Sequence, residues 1–146
     1  MSQSKKLMGV QQILIKTSAE NDAILRYLCE QSGKLYNSGV YFARQTYFKT
    51  GKVLAGKFDL IYEKSVSGTT LNGSLPSVPA QQTLMSVIEA FKSFKELKKK
   101  KTLHFKPKTP GYLTGSKLYT VGSLIIWGKV GNIFGLKASM TDIKVC

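Results

Sequence analysis

Between Lys92 and Lys108 the chain carries eight lysines, His104 and one acid, Glu96. Arg44, Lys49, Lys52 and Lys57 form a second basic patch. Ammonium groups at this density suit a phosphate backbone, which they neutralise without reading sequence. Aromatic residues lie beside both patches: Tyr47, Phe48 and Phe58 at the second, Phe105 and Tyr112 at the first. Exposed rings of this kind can stack on unpaired bases. The candidate contacts are therefore Lys92, Lys95, Lys98, Lys99, Lys100, Lys101, His104, Phe105, Lys106, Lys108 and Tyr112, together with the four residues of the second patch. His104 fits a phosphate or backbone contact better than general-base work, because no carboxylate accompanies it to fix its tautomer.

The eight acids supply no catalytic pattern. Glu20 and Asp22 fall where a helix starts and suit its positive end. Asp59 and Glu63 stand four apart but converge with nothing else that would hold Mg²⁺. The serines lack a histidine in a suitable context, and no Gly-rich loop precedes Lys-Ser or Lys-Thr. Neither an enzyme, a metal site nor a cofactor is expected of this chain.

Composition agrees with a polyanion partner. Lys plus Arg number 22 against 8 Asp plus Glu, a formal net charge of +14 over 146 residues. Only Arg26 and Arg44 are arginines, and lysine suits backbone contacts better than bidentate base reading. A hydrophobic fraction of 42% is enough for a core. No apolar run approaches a membrane span and no signal-peptide pattern opens the chain, so no membrane partner is expected. Two cysteines, Cys29 and Cys146, give neither a disulfide framework nor a zinc knuckle, and they point to a reducing compartment.

The elements that must hold these groups can be read from periodicity. Leu7 to Lys16 reads as a strand. Thr17 or Ser18 then caps a helix from about Ala19 to Phe48, with Ile24, Leu28, Leu35 and Phe42 on one stripe and further apolar residues beside it, a width that suggests either one helix packed on two sides or two helices broken near Gly33 or Gly39. Phe58 to Lys64 reads as a short helix with Phe58, Ile61 and Tyr62 inward, and 65–74 as loop. A second long helix runs from about Pro79 to Lys98, where Leu84, Val87, Ile88, Phe91 and Phe94 make an apolar stripe. Ser77 or Val78 is its expected cap. After Lys101, prolines and glycines exclude a long helix, and 117–127, 129–137 and 144–146 read as strands. A lone N-terminal strand needs partners, and the C-terminal strands are the nearest supply. The expected fold is α+β: residues 1–17 and 102–146 form a small β-barrel or curled sheet, and 18–101 form a helical insertion.

Several segments resemble the N-terminal part of OrfB/TnpB-type transposon proteins, RNA-guided nucleases related to type V CRISPR effectors. They are KLYNSGVYFARQTY at 34–47, FDLIYE at 58–63, LPSVPAQQTLMSVIEAFKSFK at 75–95, and GYLTGSKLYTV at 111–121. The resemblance covers roughly residues 10–122. It implies that the barrel is oligonucleotide-binding-like, of the wedge type, and that the helices are a recognition lobe gripping guide RNA and the guide–target hybrid. Its matched residues are Tyr36, Asn37, Arg44, Tyr47, Gln81 and Gln82, with Phe91 and Phe94 as packing aromatics. Gln81 and Gln82 thereby join the nucleic-acid contacts. The family's nuclease acids and four-cysteine ribbon are missing from this chain, and 123–146 matches poorly. The expectation is a non-catalytic module binding RNA or an RNA–DNA hybrid in a prokaryotic cytoplasm, associated with the nucleoid. The alternatives are a duplex-DNA-binding transposition accessory protein, and a structural domain that meets a protein partner through its C-terminal strands.

Overall fold

The computed structural model describes residues 15–16, 18–63, 75, 77–100, 102 and 104–114, and the strand backbone of 129–133, 136–139 and 144–145. In chain order the elements are β1 (Ile15–Lys16), α1 (Ala19–Thr50), α2 (Ser77–Lys99), β2 (Lys129–Ile133), β3 (Leu136–Ser139) and β4 (Lys144–Val145).

Helix α1 is unbroken over 32 residues. Ser18 caps it by accepting the Asn21 N–H at 3.3 Å, and Glu20 and Asp22 sit at its positive end. It ends at Gly51, whose φ of 69° is the left-handed conformation that glycine adopts at low cost, with its N–H donating to the Tyr47 carbonyl. Of the two alternatives the single helix forms, with Gly33 and Gly39 both buried within it. A Cβ at Gly39 would lie 3.2 Å from both Leu84 Cδ2 and Val87 Cγ2, so hydrogen alone lets α2 approach this closely. Helix α2 spans 23 residues from Ser77 and buries Leu84, Val87, Ile88, Phe91 and Phe94 along its predicted stripe.

The two helices are parallel. Ser32 meets Thr83, Gly39 meets Leu84 and Val87, and Tyr47 meets Phe94 and Lys98. Positions rise together along both helices, which only a parallel pair allows. Of the residues between the helices, Leu54, Leu60 and Leu75 join the core. One buried polar pair crosses the interface: Ser32 Oγ and Thr83 Oγ1 are 2.7 Å apart. Thr83 also donates to the Pro79 carbonyl at 2.9 Å, which can only accept, so Ser32 is the donor to Thr83. Burial pushes the Tyr36 phenol above its ordinary value of 10.0.

Three expectations are corrected. Residues 58–63 form turns with one i→i+4 bond, Tyr62 N–H to Phe58 carbonyl, not a helix. Asp59 accepts the Gly56 N–H at 2.8 Å while its own N–H donates to the Gly56 carbonyl, which tightens this turn. Leu60 takes the inner position, and Phe58 and Tyr62 are exposed. The segment 129–137, read as one strand, is part of an antiparallel pair in which Ile133 faces Leu136.

The third correction concerns the fold class. The described residues are mainly helical, and the α+β barrel with an inserted lobe is not formed. Among the described residues, strands make two separate two-stranded pairs, β1 with β4 and β2 with β3. The physical reason lies in the core. Its described members all fall between Ile24 and Phe94, on α1, α2 and the connection, so the helices bury their stripes against each other and need no sheet to cover them. The rest of the expected first strand and the segment 117–127 lie outside the described residues.

Candidate nucleic-acid interface

Parallel packing has an electrostatic consequence that an antiparallel pair would lack. Both helix C-termini, each with a partial negative charge, face the same way, and Lys49, Lys98 and Lys99 occupy their last turns. The two basic patches, separate in sequence, thus meet at one end of the helix pair. An anion arriving there is attracted by ammonium groups and not by the helix ends, whose sign is wrong. The positive field is already felt at Glu96: a hydrogen bond from Lys99 at 2.9 Å, helped by the charges of Lys99, Lys95 and Lys92, holds its carboxyl below the usual range.

A strap of residues 104–114 runs from this end back along α1 toward its middle. Asn37 anchors it with two bonds to one residue: its Nδ2 donates to the Leu113 carbonyl at 3.0 Å and its Oδ1 accepts the Leu113 N–H at 2.8 Å. That is the pairing a neighbouring strand would offer, supplied by a side chain. Arg44 adds a third bond, Nη1 to the Pro110 carbonyl at 3.2 Å. Its guanidinium carbon lies 5.5 Å from the Phe48 ring centre and 5.4 Å from that of Tyr112. So Arg44 and Tyr112 hold the strap in place.

Between strap and helices lies a cleft of ≈ 390 Å³. Arg44, Tyr47, Phe48 and Phe94 line its helical side, and Lys106, Pro107, Lys108 and Thr109 its strap side. Tyr47 and Phe94 meet edge to face with centroids 5.4 Å apart. Lys98 Nζ sits 2.8 Å from the Tyr47 hydroxyl and 4.8 Å from its ring centre. Phe94 is buried and forms the floor, whereas Phe48 is 59% exposed.

The expected contacts divide by place. Arg44, Lys49, Lys52, Lys98, Lys99, Lys100, Lys106 and Lys108 gather around the shared end, on the last turns, just beyond them, or on the strap. Lys92 and Lys95 lie exposed one to two turns earlier on α2, and His104 and Phe105 are exposed where the strap begins. Lys57 is elsewhere, on the connection between the helices, against the Phe58 ring. Gln81 and Gln82 stand at the other end of α2, roughly 24 Å from Lys98 along the axis. Gln81 there lines a separate cavity of ≈ 210 Å³. Lys101 lies outside the described residues. Among the described residues Lys49, Lys52, Lys92, Lys95, Lys100, Lys106 and Lys108 form no ion pair.

Among the described residues no group of three or more His, Cys, Asp or Glu is placed to hold a metal ion, and no helix is long and apolar enough to cross a membrane. The parallel helices, joined through 51–76, do not have the tight turn of a helix-turn-helix. No family model, curated protein or solved structure matches the chain.

Proposed function

We propose that the protein is a non-catalytic nucleic-acid-binding module that grips structured RNA, or an RNA–DNA hybrid, through its phosphates. The observation that carries this reading is the convergence of two lysine-bearing helix ends and a lysine-bearing strap at one end of a rigid helix pair. Ammonium groups held at fixed spacing bind a polyanion and release its counterions on contact. Lysine in place of arginine suits recognition of backbone over bases. The resemblance of the segments at 34–47 and 75–95 supports an origin in an OrfB/TnpB-type recognition lobe, and in that setting the natural ligand is the guide RNA and its hybrid with target DNA.

The test is to replace Lys98, Lys99 and Lys100 together with glutamine. Affinity is expected to fall by a similar factor for unrelated RNA sequences, and the slope of log K against log salt to shrink by roughly 2 for single strands. An unchanged affinity and slope would reject the assignment.

A further inference from the structure

The phosphate reading needs only surface charge, yet the lysine-rich end also contains a cleft walled by rings. We propose that this cleft seats one unpaired nucleotide of a single-stranded RNA segment, its base against the Tyr47 and Phe48 rings and its phosphate on Lys106 and Lys108. The proposal rests on the phosphate reading and names a subsite within it.

Three observations carry it. The cleft volume of ≈ 390 Å³ lies in the range of roughly 300–1,000 Å³ usual for small-molecule sites. Its two walls differ in emphasis: the helices present the Tyr47, Phe48 and Phe94 rings with Arg44 beside them, and the strap presents the Lys106 and Lys108 ammonium groups. A nucleotide has the same division, a flat π surface joined to an anion. Finally, Phe48 is 59% exposed, and Lys106 and Lys108 form no ion pair among the described residues. The strap cannot drift away, because Asn37 and Arg44 fix it at Leu113 and Pro110. Stacking on rings is tolerant of base identity, so the site favours single strands without selecting a sequence. A paired base cannot enter, since its faces are covered by its neighbours.

The experiment compares a short oligouridylate with an RNA duplex of equal phosphate count, using the whole chain at low salt. Phe48→Leu keeps apolar bulk and removes the ring. It is expected to weaken oligouridylate binding roughly five- to 150-fold, the usual range for one lost stack, and to leave duplex binding nearly unchanged. Tyr41→Leu removes a comparably exposed ring on α1 that does not line the cleft, and it is expected to leave the preference intact. Equal effects of Phe48→Leu on both ligands, no effect on either, or the same selective loss from Tyr41→Leu would overturn the nucleotide seat while leaving phosphate binding standing. Should Phe48→Leu lose helical circular dichroism, the deciding measurement is titration of the wild-type protein with uridine 5′-monophosphate and, separately, inorganic phosphate. The nucleotide is expected to shift the Phe48 and Tyr47 ring resonances and phosphate alone to leave them in place. Ring resonances indifferent to the nucleotide would overturn the seat. Failure of the wild type to bind either RNA would overturn the broader reading as well.

Discussion

Gly39 is where the packing of α1 on α2 can be tested most sharply. Alanine there gains about 1 kcal/mol of helix propensity over glycine. Its methyl group, however, would sit 3.2 Å from Leu84 Cδ2 and from Val87 Cγ2, and 3.6 Å from Leu60 Cδ1. The Leu84 methyl can swing aside, but Val87 is stiff at χ1 and fully buried, so α2 itself must give way. Overpacking of this kind costs about 1–3 kcal/mol, which leaves a net loss of up to about 2 kcal/mol for Gly39→Ala. Val87→Ala alone costs about 2 kcal/mol through two lost methyl groups and the space they leave. In the double variant the new methyl occupies that space, so the combined loss should fall short of the sum by about 1 kcal/mol or more. Urea unfolding followed by far-ultraviolet circular dichroism measures all four corners of the cycle, with an unchanged m-value as the check that the states are comparable. Additivity within about 0.5 kcal/mol would refute the contact and, with it, the register that makes the helices parallel.

Other perturbations have equally definite outcomes. Thr83→Val should destabilise by about 1–3 kcal/mol, because the buried Ser32 hydroxyl loses its acceptor. Replacing both partners, Ser32→Ala with Thr83→Val, should recover most of that loss, and a double variant as unstable as the single one would contradict the buried pairing of the two hydroxyls. Asn37→Ala removes both bonds to Leu113, so the Leu113 amide should exchange with solvent faster and the strap should become cleavable by protease at low enzyme concentration, while the helix pair keeps its dichroism. Unaltered exchange at Leu113 would show that Asn37 is not the anchor.

How much of this is legible in sequence depends on the range of the interaction. The helices are legible because the spacing of Leu84, Val87, Ile88, Phe91 and Phe94, and the capping oxygen of Ser18, act within a few turns. Gly39 reads as a break because glycine weakens a helix locally, whereas the tertiary contact with Val87 decides its role. The direction of packing is hidden because a connection as long as 51–76 permits either sense. The joining of Arg44 and Lys49 with Lys98 and Lys108 is hidden with it. Strand-like composition after residue 117 suggests a barrel, but β-propensity reflects burial context, and the helices already bury one another. The double bond of Asn37 to Leu113 spans 76 positions and leaves no local mark. Only the clustering of lysine with aromatic residues near 47–48 and 105–112 points toward the cleft.

The salt dependence of RNA binding by the wild-type chain tests the central claim most directly. If Lys49, Lys98, Lys99, Lys100, Lys106 and Lys108 each neutralise a phosphate, log K against log salt should fall linearly with a slope of about −4 for single strands, at about 0.7 per contact. Binding that ignores salt, or no binding at low ionic strength, would contradict the account.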